Sequence, residues 1–241
     1  QNRAIEIMLQ RQAEGFIFAT MYHKIVEPPT ALRELPAVLL DCRCDDETFS
    51  WVVPDEEAGA FAATTHLLKA GHRRIGLLES AAAIPATAER LRGYRSALES
   101  FGIEFDPELV AEGLDEFSGG VEAASELLDS AAPPSAIFCF NDRMAAGAVR
   151  VAHRRGLVIP RDLSIVGYDN EELVASYTDP PLTTVQLPHY EMGHWAVTNL
   201  LGQMSAQIDG PTQERISCPL VARESVAAPG EPTQVGDRSD P

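Results

Sequence analysis

The 241-residue chain carries 36 acidic against 19 basic residues, a formal net charge of −17, with 45% hydrophobic and 23% charged residues. This is the composition of a soluble globular protein long enough to bury a sizeable core, and the acid excess argues against these residues gripping nucleic acid, because that grip comes from clustered Lys and Arg neutralising phosphates. No apolar run approaches the roughly 20 residues of a membrane span, QNRAIEIMLQ lacks the regions of a signal peptide, and Cys42, Cys44, Cys139 and Cys218 have neither metal-ligand nor disulfide-framework spacing. The expectation is a cytoplasmic protein with reduced thiols and no bound metal.

Residues 1 to 14 read as a helix with Ile5, Met8, Leu9 and Ala13 on one face, and Gly15 breaks it before the strand Phe16 to Ala19. A short helix near Thr30 to Glu34 leads to strands Ala37 to Asp41 and Phe49 to Val53, after which Asp55 can cap a helix that ends at Gly71. His72 to Glu79 reads as a strand, 80 to 88 as a loop, and Arg90 to Phe101 as an amphipathic helix. Glu104 to Leu114 holds a short extended piece, and Phe117-Ser-Gly-Gly precedes a helix from Val121 to Leu128.

The clearest βαβ unit follows. Ala136 to Phe140 is a strand, Asn141-Asp142 sits where a helix cap belongs, Met144 to Ala152 repeats at helical spacing up to Gly156, and Leu163 to Tyr168 is apolar throughout, as in a parallel strand covered on both faces. Asp169 stands at that strand's carboxyl end, the side on which open α/β sheets hold ligands. A polar turn and helix run to Tyr177, Asp179 to Val185 is extended, His189 to Leu201 is helical, Arg215 to Glu224 is a late strand pair or edge strand, and 227–241 is expected to be disordered. The βα alternation calls for parallel sheets with right-handed crossovers.

Six stretches in order, GHRRIGLLES at 71–80, ERLRGY at 89–94, FNDRMAAGA at 140–148, PRDLSIVGYDN at 160–170, DPPLTTVQLPHYEMG at 179–193 and LVARES at 220–225, resemble the effector-binding domain of the LacI/GalR family of bacterial transcription regulators. The resemblance implies an α/β fold of two parallel-sheet, Rossmann-like subdomains joined by three crossing strands, as in periplasmic sugar-binding proteins. On that template residues 1–70 with 188–213 form the N-terminal subdomain and 71–187 with 214–226 the C-terminal one, the crossings falling near Ala70 to His72, Val185 to His189 and Pro211 to Glu214. It further implies a small-molecule effector, most simply a sugar, held between the subdomains. A homodimer would bind operator DNA through an N-terminal helix-turn-helix that this sequence does not contain, and neither does it contain the first strand and helix of the family's N-terminal subdomain. No cofactor is expected. The alternative with the same fold is an extracytoplasmic sugar-binding protein of a transport system.

The resemblance also names a site. Arg90 matches the family arginine of R-x-x-G, and a planar guanidinium suits ligand hydroxyls or a carboxylate; read alone it is a solvated Arg in a helix, with Arg92 its competitor in the same turn. Asp169 matches the ligand-binding aspartate after V-G-Y and is otherwise a turn cap. Asn141 can bind or cap, Asp142 being the better candidate for the cap itself; Phe117 can stack on a ligand or sit in the core; Gln186 can reach the cleft; Asp55 matches a family acid and is equally an N-cap. On this reading Arg90→Ala and Asp169→Ala each weaken effector binding and leave the fold intact. His189 and His194, five apart, miss the i, i+4 spacing of a helical metal pair and read as helix surface or subunit contact. The absence of G-x-S-x-G, G-x-x-x-x-G-K-[ST] and G-x-G-x-x-G removes the usual enzyme signatures of α/β sheets, and the paired acids Glu56-Glu57 read as solvated helix surface, so no enzyme is expected.

Overall fold

The computed structural model describes residues 2–45 and 47–230. It contains two four-stranded parallel sheets. The first is built from β1 (Phe16–Ile25), β2 (Ala37–Arg43), β3 (Ser50–Pro54) and β9 (Gln213–Ile216) in the order β1-β2-β3-β9. Val38 and Leu39, successive residues of β2, face opposite ways as strand geometry dictates. Leu39 joins Ile5 of α1 (Asn2–Gln10) and Phe16, while Val38 joins Met192 and Ala196 of α7 (His189–Met204), so a helix covers each face.

The second sheet takes β4 (Ile75–Ser80), β5 (Val110–Gly113), β6 (Ala136–Cys139) and β7 (Ser164–Val166) in the order β5-β4-β6-β7. One face packs on α4 (Phe117–Asp129) and α5 (Asp142–Arg154) through Leu78, Ile137, Cys139 and Ile165. The other packs on α2 (Glu56–Ala70) and α3 (Pro85–Ser100) through Ile75, Leu77, Phe138 and Val166. Burial on both faces is why β6 and β7 and the start of β4 read as apolar runs. A short helix α6 (Glu172–Ala175) follows β7, and β8 (Thr184–Val185) pairs antiparallel with β10 (Leu220–Val221).

Helix α2 follows a strand of the first sheet, yet its buried Ala60, Ala63, Leu67 and Leu68 share a cluster with Leu77, Tyr94, Phe138 and Tyr168. The template boundary at residue 70 put α2 with the first sheet; its packing moves the first passage between the sheets to Pro54–Asp55. Residues 213–216 likewise pair with β3, which moves the last passage beyond Ile216.

Several elements differ in extent from the sequence expectation. The first helix stops at Gln10, while β1 runs six residues past Ala19 because its register with β2 shifts between Ala19 and Lys24 and then resumes. Helix α3 starts at Pro85, a proline being acceptable at the first helical position, where it forfeits no intrahelical bond. Phe117 opens α4 rather than sitting in a loop, because Gly119 and Gly120 let that first turn lie against the backbones of Leu114 and Met144. The first of the two cap candidates, Asn141, caps α5: its Oδ1 accepts from Met144 N at 2.8 Å. Ala227, at the start of the expected tail, is pinned, accepting from His72 Nε2 at 2.9 Å and donating to Ser164 Oγ at 3.1 Å; residues 231–241 of that tail lie outside the described residues.

Candidate functional site

The carboxyl ends of both sheets meet around a cavity of about 480 Å³, within the size range of small-molecule sites. The first sheet contributes His23, Asp41 and Pro54, and the second contributes Phe140, Asn141, Asp169 and Asn170. Arg90 of α3, Gln186 and Leu187 after β8, and His189 and Met192 of α7 complete much of the lining.

Arg90 lies at the centre and is 5% exposed. Its Nε donates to Glu56 Oε2 at 2.8 Å, Nη1 donates to the carbonyl of Phe140, and Nη2 reaches Asp169 Oδ1 at 3.4 Å. The guanidinium also lies 3.6 Å from the Tyr168 ring centroid and 4.4 Å from that of Phe140. Burial alone would lower its pKa; the facing Glu56 and Asp169 outweigh burial and raise it, so it stays charged. The R-x-x-G spacing has a packing cause as well, since a Cβ at Gly93 would collide with the Glu57 carbonyl where α3 crosses α2. Glu56, expected on solvated surface, is 1% exposed as Arg90's partner. Arg92 points elsewhere and pairs with Glu57 at 2.9 Å.

Asp169 is held by its backbone N–H to Val185 O at 2.8 Å and takes φ of 98°. Asn170 at 53° and Asp41 at 56° share that left-handed region, which side-chain-bearing residues rarely adopt and which clusters at functional sites. Burial pushes the Asp169 carboxyl up to about 7 against the opposing pull of Arg90, with 31% of the side chain still open. Burial and Glu56 likewise raise Asp41 to about 7. Asp142 is not the cap but a buried bracket: it accepts from Thr184 Oγ1 at 2.6 Å and Glu171 N at 2.7 Å, and burial raises it to about 6 despite those bonds. It thereby fixes the turn that presents Asp169 and Asn170.

Of the six residues expected at a site, Arg90, Asn141, Asp169 and Gln186 border this cavity. Asn141 spends Oδ1 on its cap and Nδ2 on Asp115 O at 2.9 Å, while Gln186 accepts from Asn170 at 2.5 Å and donates to Leu187 O at 2.7 Å. Phe117 lies outside the lining, 42% exposed with Arg150 over its ring at 5.8 Å. Asp55 caps α2, accepting from Ala58 N at 3.1 Å, and is also outside. His189, read as helix surface, borders the cavity. Asp41 and His23 were not anticipated. Asp41 ends the strand Ala37 to Asp41 just as Asp169 ends its own, so the strand-end rule applied to that strand would have found it. His23 carries no such signal, because it lies within the register shift between Ala19 and Lys24 of β1.

Among the described residues two guanidinium groups reach the cavity, Arg90 and Arg143, the latter paired with Glu171 at 2.9 Å. Against them stand the carboxylates of Asp41, Glu56, Asp115, Asp169 and Glu171. The balance is acidic, and it suits hydroxyl and amide donors. No group of three or more metal-ligating side chains occurs among the described residues, and no described helix is long and apolar enough to cross a membrane. Glu89 of α3, 3% exposed, takes a bidentate bond from Arg215 of β9 at 2.8 and 3.1 Å, tying the two sheets together beside the cavity.

Comparison with known proteins bears on this geometry. Residues 64–226 match the model of a periplasmic binding protein-like domain. The chain is 42% identical over 225 residues to the HTH-type transcriptional repressor CytR of Escherichia coli K12, covering 93% of this chain and 66% of that protein. It is 31% identical to the ribose operon repressor of Haemophilus influenzae over 92% of this chain and 67% of the other. Among solved structures, a LacI family transcriptional regulator from Enterococcus faecium with bound ribose superposes with a TM-score of 0.76 at 29% identity, covering 92% of this chain and 82% of that one. The chain spans about two thirds of the length of these curated relatives.

Proposed function

The chain belongs to the LacI family of bacterial transcriptional regulators and carries its periplasmic binding protein-like domain, and from that premise we propose that the cavity between the two sheets is an effector site for a small polar metabolite, most simply a sugar. The observation that carries the reading is the convergence of Asp41, Asn141 and Asp169 from the ends of two separate sheets, with Arg90 of α3, onto one cavity. Carboxylates accept from hydroxyls, and the rigidly held amides and guanidinium fix the ligand's orientation. The relatives support a sugar in particular, one being a ribose operon repressor and another having been solved with bound ribose.

Each sheet with its helices acts as a lobe, residues 2–54, 188–216 in one and 55–187, 217–226 in the other. An effector that touches both lobes favours one lobe angle by the difference in its affinity for the two arrangements. In the whole protein that angle sets the spacing of DNA-binding heads in a cytoplasmic homodimer acting at an operator through a helix-turn-helix outside this sequence. The exposed apolar row Val197, Leu201 and Met204 on α7 supports a subunit contact. The relatives are transcriptional repressors, which supports binding rather than turnover.

The test is the reading frame upstream of Gln1. A helix-turn-helix there, with operator binding that responds to a sugar, is the expected result. A signal peptide would contradict the regulator and favour the extracytoplasmic transport protein.

A further inference from the structure

The side chain of His23 on β1 borders the cavity, is 2% exposed, and has no hydrogen-bond partner at either ring nitrogen among the described residues. Buried polar atoms are nearly always partnered, and an unmatched one is costly. We propose that His23 is a specificity-determining contact of the effector site, its two ring nitrogens offering one donor and one acceptor to an uncharged, hydroxyl-bearing ligand. The inference rests on the reading of the cavity as the effector site.

Burial disfavours the imidazolium form of the ring. Glu56 of α2, Glu89 of α3, Arg215 of β9 and Arg43 of β2 face it, and burial, the largest influence, lowers its pKa. The two glutamates are already matched, Glu56 to Arg90 and Glu89 to Arg215. Arg43 has Asp45 at 3.7 Å. Neither facing glutamate therefore calls for an imidazolium. A neutral imidazole has one N–H and one lone-pair nitrogen. A sugar hydroxyl both donates and accepts, so hydroxyls satisfy both nitrogens.

A phosphate ester fits poorly. Its phosphate oxygens only accept, so they cannot match the lone-pair nitrogen, and they would meet Asp41 and Asp169 while Arg90 and Arg143 are already engaged. The site thus distinguishes a free sugar from its phosphorylated form.

The experiment is calorimetry on the native chain and on His23→Phe, His23→Ala and His23→Gln, with D-ribose, a panel of other unphosphorylated pentoses and hexoses, and D-ribose 5-phosphate. For the sugar that binds the native chain, the Phe and Ala variants are expected to lose about 10-fold or more in affinity, while Gln, which keeps a donor and an acceptor, retains most of it. His23→Phe is also expected to raise the melting temperature of the ligand-free chain, since it removes two unmatched buried nitrogens. Unchanged sugar affinity in both apolar variants, or binding of the phosphate ester as tight as that of the sugar, overturns the proposal. If the native chain binds none of the sugars, the effector-site reading itself fails, and the role of His23 with it.

Discussion

Replacing Arg90 by Met keeps most of the apolar stem and deletes the charge. The sequence reading expected loss of Arg90 to spare the fold, but a side chain 5% exposed, bonded to Glu56 and the Phe140 carbonyl and stacked on Tyr168, cannot be removed cheaply. Glu56, 1% exposed, is left as an uncompensated buried charge, with Asp169 beside it. Removing one partner of a buried ion pair costs about 3–5 kcal/mol. For a chain of this length each kcal/mol shifts the melting temperature by roughly 2–4 °C, so a fall of roughly 6–20 °C is expected. Urea unfolding of Arg90→Met, Glu56→Gln and the double variant reads the coupling. The double variant should recover part of the loss, with an interaction energy of about 1–3 kcal/mol. A loss below about 1 kcal/mol in Arg90→Met, or strict additivity, would show that water screens the pair and would refute the reasoning.

Gly93→Ala pushes a methyl group into the Glu57 carbonyl at the α2–α3 crossing and should destabilise by about 1–3 kcal/mol; a neutral result in denaturant titration would mean that the helices separate freely. For Asp41 the folded-state pKa of about 7 lies above the ordinary 3.8, so the native state holds the proton more tightly and the ionised carboxylate costs stability progressively as pH rises from about 4 to about 7. Asp41→Asn should therefore gain on the native chain between pH 5 and pH 8 in paired thermal melts, and a pH-independent difference would contradict the burial argument.

The alternation of strands and helices was legible because each element carries its own periodicity and punctuation: Asp55 and Gly71 bound α2, and both sit where the spacing puts them. Asp169 and Asn141 were legible for a related reason, since polar residues at the ends of apolar strands have few places to point. The burial of Glu56 was not, because it depends on Arg90, 34 positions away, and a Glu-Glu pair in a first helical turn looks like any solvated, dipole-favoured start. His23 stayed hidden because the ATMYHK run has no alternation, and the register shift that buries it belongs to the pairing with β2. The allegiance of α2 was hidden too: its small-residue stripe would pack on either sheet, and only the close approach at Gly93 and the ring of Tyr168 against Gly59 settle which.

Asp169 joins both sides of the account, standing at the end of the second sheet, bridged to Gln186, and open to the cavity. Calorimetry of the native chain and of Asp169→Ala against D-ribose and the wider panel of unphosphorylated sugars tests the effector site most directly. One saturable site in the native chain, lost or severely weakened in Asp169→Ala while the variant still unfolds cooperatively, is the expected result. A sugar that binds both chains equally well, or no sugar that binds the native chain, would contradict it.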